Sequence, residues 1–314
     1  MINADKPNLW KKDTALSVDL YNNWFIQFAP PTFRASRVEA TMLVKHAFEL
    51  TNDLESIAPE TLLVSPQVLP ILRMCTAPPL ARDRLVGLSN TTKNLVGNLE
   101  AGRLPPRMPK DQLQAALTKI SETILRLLDV DLFPWLSEHS LPSEQMRDRS
   151  AMVVADRLTG ANADPLIRNA QEQRQLDKLR QFLVERGYKE EQPPPGSLPT
   201  AMPRGTFWFR LNVRVGAELE VNIPIDAVIQ PKGAPLGAMP ILIEAKSAGD
   251  FTNVNKRRKE EATKNRQLQE RYGDQTKIIL LLAGYFDAPY LGYEAAEGLD
   301  WVWEHRIQDL DQVL

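Results

Sequence analysis

Two periodicities divide this chain. Through its first half, apolar side chains recur three and four residues apart, the spacing of one helical face. Residues 34–50 follow Pro30 and Pro31 and set Val38, Met42, Leu43, Ala47 and Leu50 at that spacing. Residues 110–130 give a fuller stripe of Leu113, Leu117, Ile120, Ile124, Leu127 and Leu128. Prolines at 59, 66, 70, 78, 79, 134 and 142 punctuate this half and predict several short helices rather than a long bundle. Asp164 and Pro165 read as an N-cap followed by a first-turn proline. They predict a helix that ends at Gly187 and buries Leu176, Leu179, Phe182 and Leu183. Residues 192–199 hold four prolines and form a stiff connector.

Beyond the connector the period changes to two. Phe207, Phe209, Leu211, Val213 and Val215 alternate with Trp208, Arg210, Asn212 and Arg214. Gly216 and Ala217 mark a turn, after which Leu219, Val221, Ile223 and Ile225 alternate with Glu220, Asn222, Pro224 and Asp226. A Gly/Pro loop leads to the strand ILIEAK (241–246), a basic helix covers about 253–272, and a buried strand lies at 278–282. The order strand, strand, strand, helix, strand predicts an α/β (α+β) architecture, a mixed sheet flanked by helices behind a mainly helical N-terminal region. The expected division is 1–160 helical and 161–314 sheet-bearing.

Composition narrows the function. The net charge of −2 over 314 residues gives no global basic signal, so any affinity for nucleic acid must come from a local patch. Cys75 is the single cysteine, which excludes an internal disulfide and argues against a zinc ribbon; it reads as a small buried residue at a helix end. His46, His139 and His305 are scattered and make no metal cluster. The N-terminus has no apolar signal region, and the apolar run 278–286 is too short to span a bilayer; a cytoplasmic protein with no membrane partner is expected.

The chemistry lies in the two central strands. Residues i and i+2 of a strand share a face, so Glu244 and Lys246 project a carboxylate and an ammonium into one volume. Asp226 on the neighbouring strand can complete the group. Two carboxylates, with the Ala245 carbonyl between the site residues, suit Mg²⁺, a hard ion that takes oxygen ligands and keeps several waters. Lys246 would orient an attacking water and stabilise developing negative charge. As a bare pattern, acid, gap, acid-x-Lys is weak, with roughly two or three accidental matches in a chain of this length. The demand that both halves fall in β-patterned segments removes most of these. The competing structural reading is a charge pair on an exposed sheet face. Glu172 and Gln175 on the preceding helix either support such a site or, on the competing reading, belong to a solvated helix face, and Glu220 and Asn222 share the alternation face of Asp226.

The basic helix follows directly. Residues 251–272 carry seven Lys and Arg against three Glu, a local charge of +4. At about 100° per residue, Lys256, Arg257, Lys264 and Arg271 fall in one quadrant, which suits phosphate contacts. A solvated helix face with i,i+4 pairs is the competing reading.

With these residues in view, the C-terminal half resembles the XamI-type family of type II restriction endonucleases, within the PD-(D/E)xK nucleases. The match rests on VNIPIDAVI, ILIEAKSAGDFTNVNKRRKEEA and AGYFDAPYLGYEAAEGLDWVWEHRI, and covers about 160–314 well and the N-terminal half more loosely. The literal Pro-Asp dipeptide is absent, since Pro224 stands two residues before Asp226. The resemblance implies a restriction-endonuclease-like fold and Mg²⁺-dependent cleavage of double-stranded DNA at a short palindrome, associated in this family with GTCGAC. It also implies a homodimer, a cognate DNA methyltransferase that protects the host, and catalytic roles for Asp226, Glu244 and Lys246. The helical region is then the candidate for target readout and dimer contacts, with Arg82, Arg84, Arg103 and Arg107 as possible contacts. The alternatives are a structure-selective repair or junction nuclease of the same fold, and a non-catalytic DNA-binding protein.

Overall fold

The computed structural model describes the chain except residues 195, 217–220 and 252–253, and except the side chains of 164 and 254–259. Glu220 and the turn at Ala217 therefore lie outside the described residues. Ten helices and six strands are assigned among the rest. The helices are α1 (Pro7–Leu50), α2 (Pro59–Val64), α3 (Leu69–Met74), α4 (Arg82–Ser89), α5 (Lys93–Glu100), α6 (Lys110–Leu125), α7 (Pro134–Glu138), α8 (Glu144–Glu185), α9 (Val254–Tyr272) and α10 (Ala288–Ala296). The strands are β1 (Lys189–Glu190), β2 (Thr206–Val215), β3 (Val221–Gln230), β4 (Ile241–Ala248), β5 (Ile278–Gly284) and β6 (Asp300–Trp303).

The strands form one sheet in the order β1-β2-β3-β4-β5-β6. β2, β3 and β4 are antiparallel neighbours; β4, β5 and β6 run parallel, with α9 and α10 as the crossovers. The mixed α/β core expected from the pattern is thus what the chain forms. β5 is buried along its whole length, as the uninterrupted apolar run IILLLAG requires of a parallel strand flanked on both sides. At its end Gly284 adopts φ +95°, and a Cβ there would stand 2.1 Å from the Ala248 carbonyl oxygen, so no other residue fits.

The chain divides into two compact units, 1–28 with 167–314, and 29–166. Both boundaries differ from the expected one near 160, because the first 28 residues pack with the sheet. Asp300 explains the attachment: its carboxylate accepts the backbone N–H groups of Ile2, Asn3 (2.9 Å) and Ala4 (3.1 Å), and Trp10 packs edge-on against Trp301. In the helical unit, Leu113, Leu117, Ile120 and Ile124 of α6 enter the core as the stripe predicts. Cys75 ends α3, fully buried, where desolvation pushes its thiol far above the usual range.

Two expectations for the helices are corrected. Pro30, Pro31 and Pro165 lie inside α1 and α8, which are 44 and 42 residues long, so none of them starts or ends a helix. The apolar positions of α1 also face differently: Ala40, Val44, Ala47 and Phe48 are buried, whereas Val38, Met42 and Leu43 are exposed.

Candidate active site

β3 and β4 pair through Ala227↔Ile243, Val228↔Leu242 and Ile229↔Ile241, and the ladder ends there. The next positions along the two strands are Asp226 and Glu244. Where the strands part, the Asp226 carboxylate replaces the lost ladder bond by accepting the N–H of Ala245 at 2.8 Å. A strand residue directs its N–H and C=O to the same side, so the Ala245 carbonyl also faces the Asp226 side. On the other neighbour of β3, Arg210 falls opposite Asp226 and is skipped by the β2–β3 pairing; it adopts φ +56°, a left-handed conformation costly for a side chain of this size.

Glu244 is buried, with 5% of its side chain exposed. Lys246 Nζ lies 3.5 Å from its Oε2, and Lys264 Nζ bonds its Oε1. Lys264 also donates to the Pro224 carbonyl at 2.6 Å. The Lys246 ammonium has a second acid, Glu261 Oε1 at 3.6 Å, and Glu261 Oε2 accepts the Tyr290 hydroxyl at 2.7 Å. Burial pushes the Glu244 carboxyl above the usual carboxylate range; Lys246 and Lys264 pull it back, and Asp226 adds to the rise. Burial alone would lower Lys246, but Glu244, Glu261 and Asp226 outweigh it and hold the ammonium charged above the ordinary lysine range. Burial, then Glu261 and Glu294, push the Tyr290 hydroxyl far up, so it remains a donor.

Sequence reasoning thus finds Asp226, Glu244 and Lys246 at one place. It misses Glu261, and it sends Lys264 to a DNA-facing stripe when its ammonium is turned into the carboxylate cluster. One signal could have found both. Among the described residues of α9 Leu268 is the fully buried large apolar one, and Glu261, Lys264 and Asn265 stand seven, four and three residues before it, on the same face. Gln175 is buried and donates to the carbonyls of Leu281 (2.9 Å) and Lys246 (3.3 Å), pinning the backbone that carries the lysine. Glu172 instead reaches Arg210 at 3.5 Å. Asn222 and Arg271 are exposed, and the side chains of Lys256 and Arg257 lie outside the described residues.

Do these groups suit a metal ion? Among the described side chains three carboxylates, Asp226, Glu244 and Glu261, meet two ammonium groups, Lys246 and Lys264. A buried cluster short of positive charge favours a cation. Among the described residues no three His, Cys, Asp or Glu side chains converge into a full protein shell. Asp226, Glu244 and the Ala245 carbonyl form a partial oxygen set, which fits an ion such as Mg²⁺ that keeps most of its waters.

Comparison with known proteins decides the family. The model of the XamI restriction endonuclease family matches residues 52–303. The chain belongs to the XamI restriction endonuclease family. It is 54% identical over 312 residues to the "Type II restriction enzyme SalI" of Streptomyces albus G, covering 99% of each chain. No solved structure matches it. As a XamI-family restriction endonuclease, it hydrolyses DNA at a specific site. The family match spans every strand from β1 to β6 and so contains the whole carboxylate–lysine cluster. Among the described residues no helix is long and apolar enough to cross a membrane.

Proposed function

We propose that the protein is a type II enzyme that cuts double-stranded DNA at the palindrome GTCGAC, as a homodimer, with Mg²⁺ held by Asp226, Glu244 and the Ala245 carbonyl. The observation that carries the catalytic part is the meeting of Asp226, Glu244 and Lys246 where β3 and β4 separate. The full-length likeness to an enzyme named as type II supports the class. When bound, Mg²⁺ supplies a Lewis acid for the phosphate and lowers the pKa of a coordinated water.

The protein's own groups do the rest. Asp226, fixed by the Ala245 N–H through Oδ2, would help hold the ion. Glu244 is held from both sides by ammonium groups, and its burial strengthens every charge interaction made there. Lys246 holds a water for attack and stabilises the charge that builds on the phosphate oxygens. Arg271, Lys256, Arg257 and a Lys264 released from Glu244 contact the backbone phosphates. Glu172 supports the site through Arg210.

A palindromic target suits a two-fold protein, each protomer cutting one strand. Within the helical unit, the ion pairs Arg37–Asp156 (3.2 Å) and Lys45–Asp148 (2.6 Å) align α1 antiparallel to α8. The exposed Val38, Met42 and Met152 lie between those pairs, an apolar strip framed by charge that suits a second copy. Met42→Glu should convert a dimer to a monomer in light scattering; a monomeric wild type would remove the dimer from this reading. A cognate DNA methyltransferase would protect the host's own sites.

Digestion of a phage DNA of known sequence by wild type and Lys246→Ala, with Mg²⁺ and with EDTA, tests the function. Discrete fragments from wild type alone, absent in EDTA and ending within GTCGAC, are expected. A smear would favour a structure-selective nuclease, and salt-dependent binding without cleavage would favour a non-catalytic binder.

A further inference from the structure

We propose that Glu261, steadied by Tyr290, is a positioning residue that fixes the ammonium of Lys246 for hydrolysis. The inference rests on the assignment of Lys246 to the catalytic site and adds residues from two elements outside the acid-x-Lys strand. Glu261 is 4% exposed, near the middle of α9, and its two oxygens have separate tasks. Oε2 takes the Tyr290 hydroxyl from α10 at 2.7 Å. Among the described residues Oε1 has no hydrogen-bond partner, and it stands 3.6 Å from Lys246 Nζ.

A buried carboxylate oxygen without a hydrogen bond is costly, and burying the whole group stabilises nothing unless its charge is used. Here the charge is turned towards the ammonium of Lys246, which Glu244 also faces. Lysine has three donors on a flexible stem and no fixed geometry. With Glu244 alone it could swing about that carboxylate, whereas a second acid, itself tethered, leaves it one mean position between the two. This is the arrangement of a reactive group oriented by a partner that a third group orients in turn.

Single-turnover cleavage of a GTCGAC duplex by the full-length protein tests this. Glu261→Gln keeps shape and Oε1 but removes the charge. It should lower the rate on the order of 10–100-fold, the cost of a misplaced group, with duplex affinity in Ca²⁺ and the Mg²⁺ concentration for half-maximal rate unchanged. Tyr290→Phe should lower it about fivefold, the equivalent of one ordinary hydrogen bond. Because Glu261 acts through Lys246, adding Glu261→Gln to Lys246→Ala should change the residual rate less than about twofold. Losses that multiply in the double variant would overturn the proposal in favour of general structural support. A raised Mg²⁺ requirement would overturn it in favour of a metal ligand, and a wild-type rate in both Glu261→Gln and Tyr290→Phe would remove it outright. If Lys246→Ala itself cuts normally, the catalytic assignment fails first, and the two failures are told apart.

Discussion

Both compact units bury acids beside bases, but they do so differently. In the helical unit the cations are arginines held close. Arg157 donates to Asp129 at 2.9 Å and to the Met74 carbonyl at 3.0 Å, Arg73 lies 2.6 Å from Glu100, and Arg147 forks onto Asp53 with one bond at 2.8 Å. In the sheet unit the cations at the site are lysines, and the acids are shared. Glu244 faces Lys246 and Lys264, and Lys246 faces Glu244 and Glu261 at 3.5 and 3.6 Å. Arginine's rigid fork locks one geometry, while a lysine ammonium can exchange partners. Pairs of the first kind hold a fold together. A chain of the second kind keeps charge available for a substrate and an ion.

If that contrast is right, Glu244→Gln and Lys246→Ala should each lower cleavage by roughly 10³-fold with a cooperative melting transition retained, as paired activity and calorimetry measurements would show. Arg157→Ala should do the reverse. Leaving Asp129 buried without its partner costs about 3 kcal/mol, a fall of roughly 10 °C in melting temperature, with the rate per folded molecule at low temperature unchanged. An equal loss of activity in Arg157→Ala would erase the distinction.

A smaller effect concerns pH. The folded-state pKa of Glu244 is raised above its ordinary 4.5, so the folded chain binds this proton more tightly than the unfolded one. Its contribution to stability is complete below the unfolded value and is lost as pH rises through the folded one. In metal-free buffer Glu244→Gln should therefore be more stable than wild type at pH 8, and the gap should close towards pH 4; a constant gap would mean that burial does not set this pKa. The smallest effect is a control. Arg266 and Glu270 are both about 70% exposed and 4.0 Å apart, and Arg266→Ala should change stability by less than about 0.5 kcal/mol.

The same contrast explains what the sequence made legible. Strand periodicity placed Asp226, Glu244 and Lys246 together because a period of two leaves no choice of face. The apolar stripe of α6 was equally plain, since four of its residues enter one core. Glu261 and Lys264 were hidden because the buried face of α9 is polar, and a helix so rich in Lys, Arg and Glu reads as solvated. The faces of α1 were misread because two alanines, Ala40 and Ala47, share the packed face with Val44 and Phe48, while Val38, Met42 and Leu43 stay outside. Pro165 follows Asp164 just as a first-turn proline follows a cap, and only the packing of residues on both sides reveals that α8 continues through it. The attachment of the first 28 residues was invisible because its partner, Asp300, is nearly the whole chain away.

That attachment also sets a clock. A sheet unit that needs Ile2, Asn3 and Ala4 on Asp300 closes a separation of 298 residues at its widest. At about 5–20 residues per second, translation takes roughly 15–60 s to span that distance. Residues 29–166 form a continuous unit and emerge complete in the meantime. The sheet unit that carries the site can therefore close only after residues 29–166 have been made.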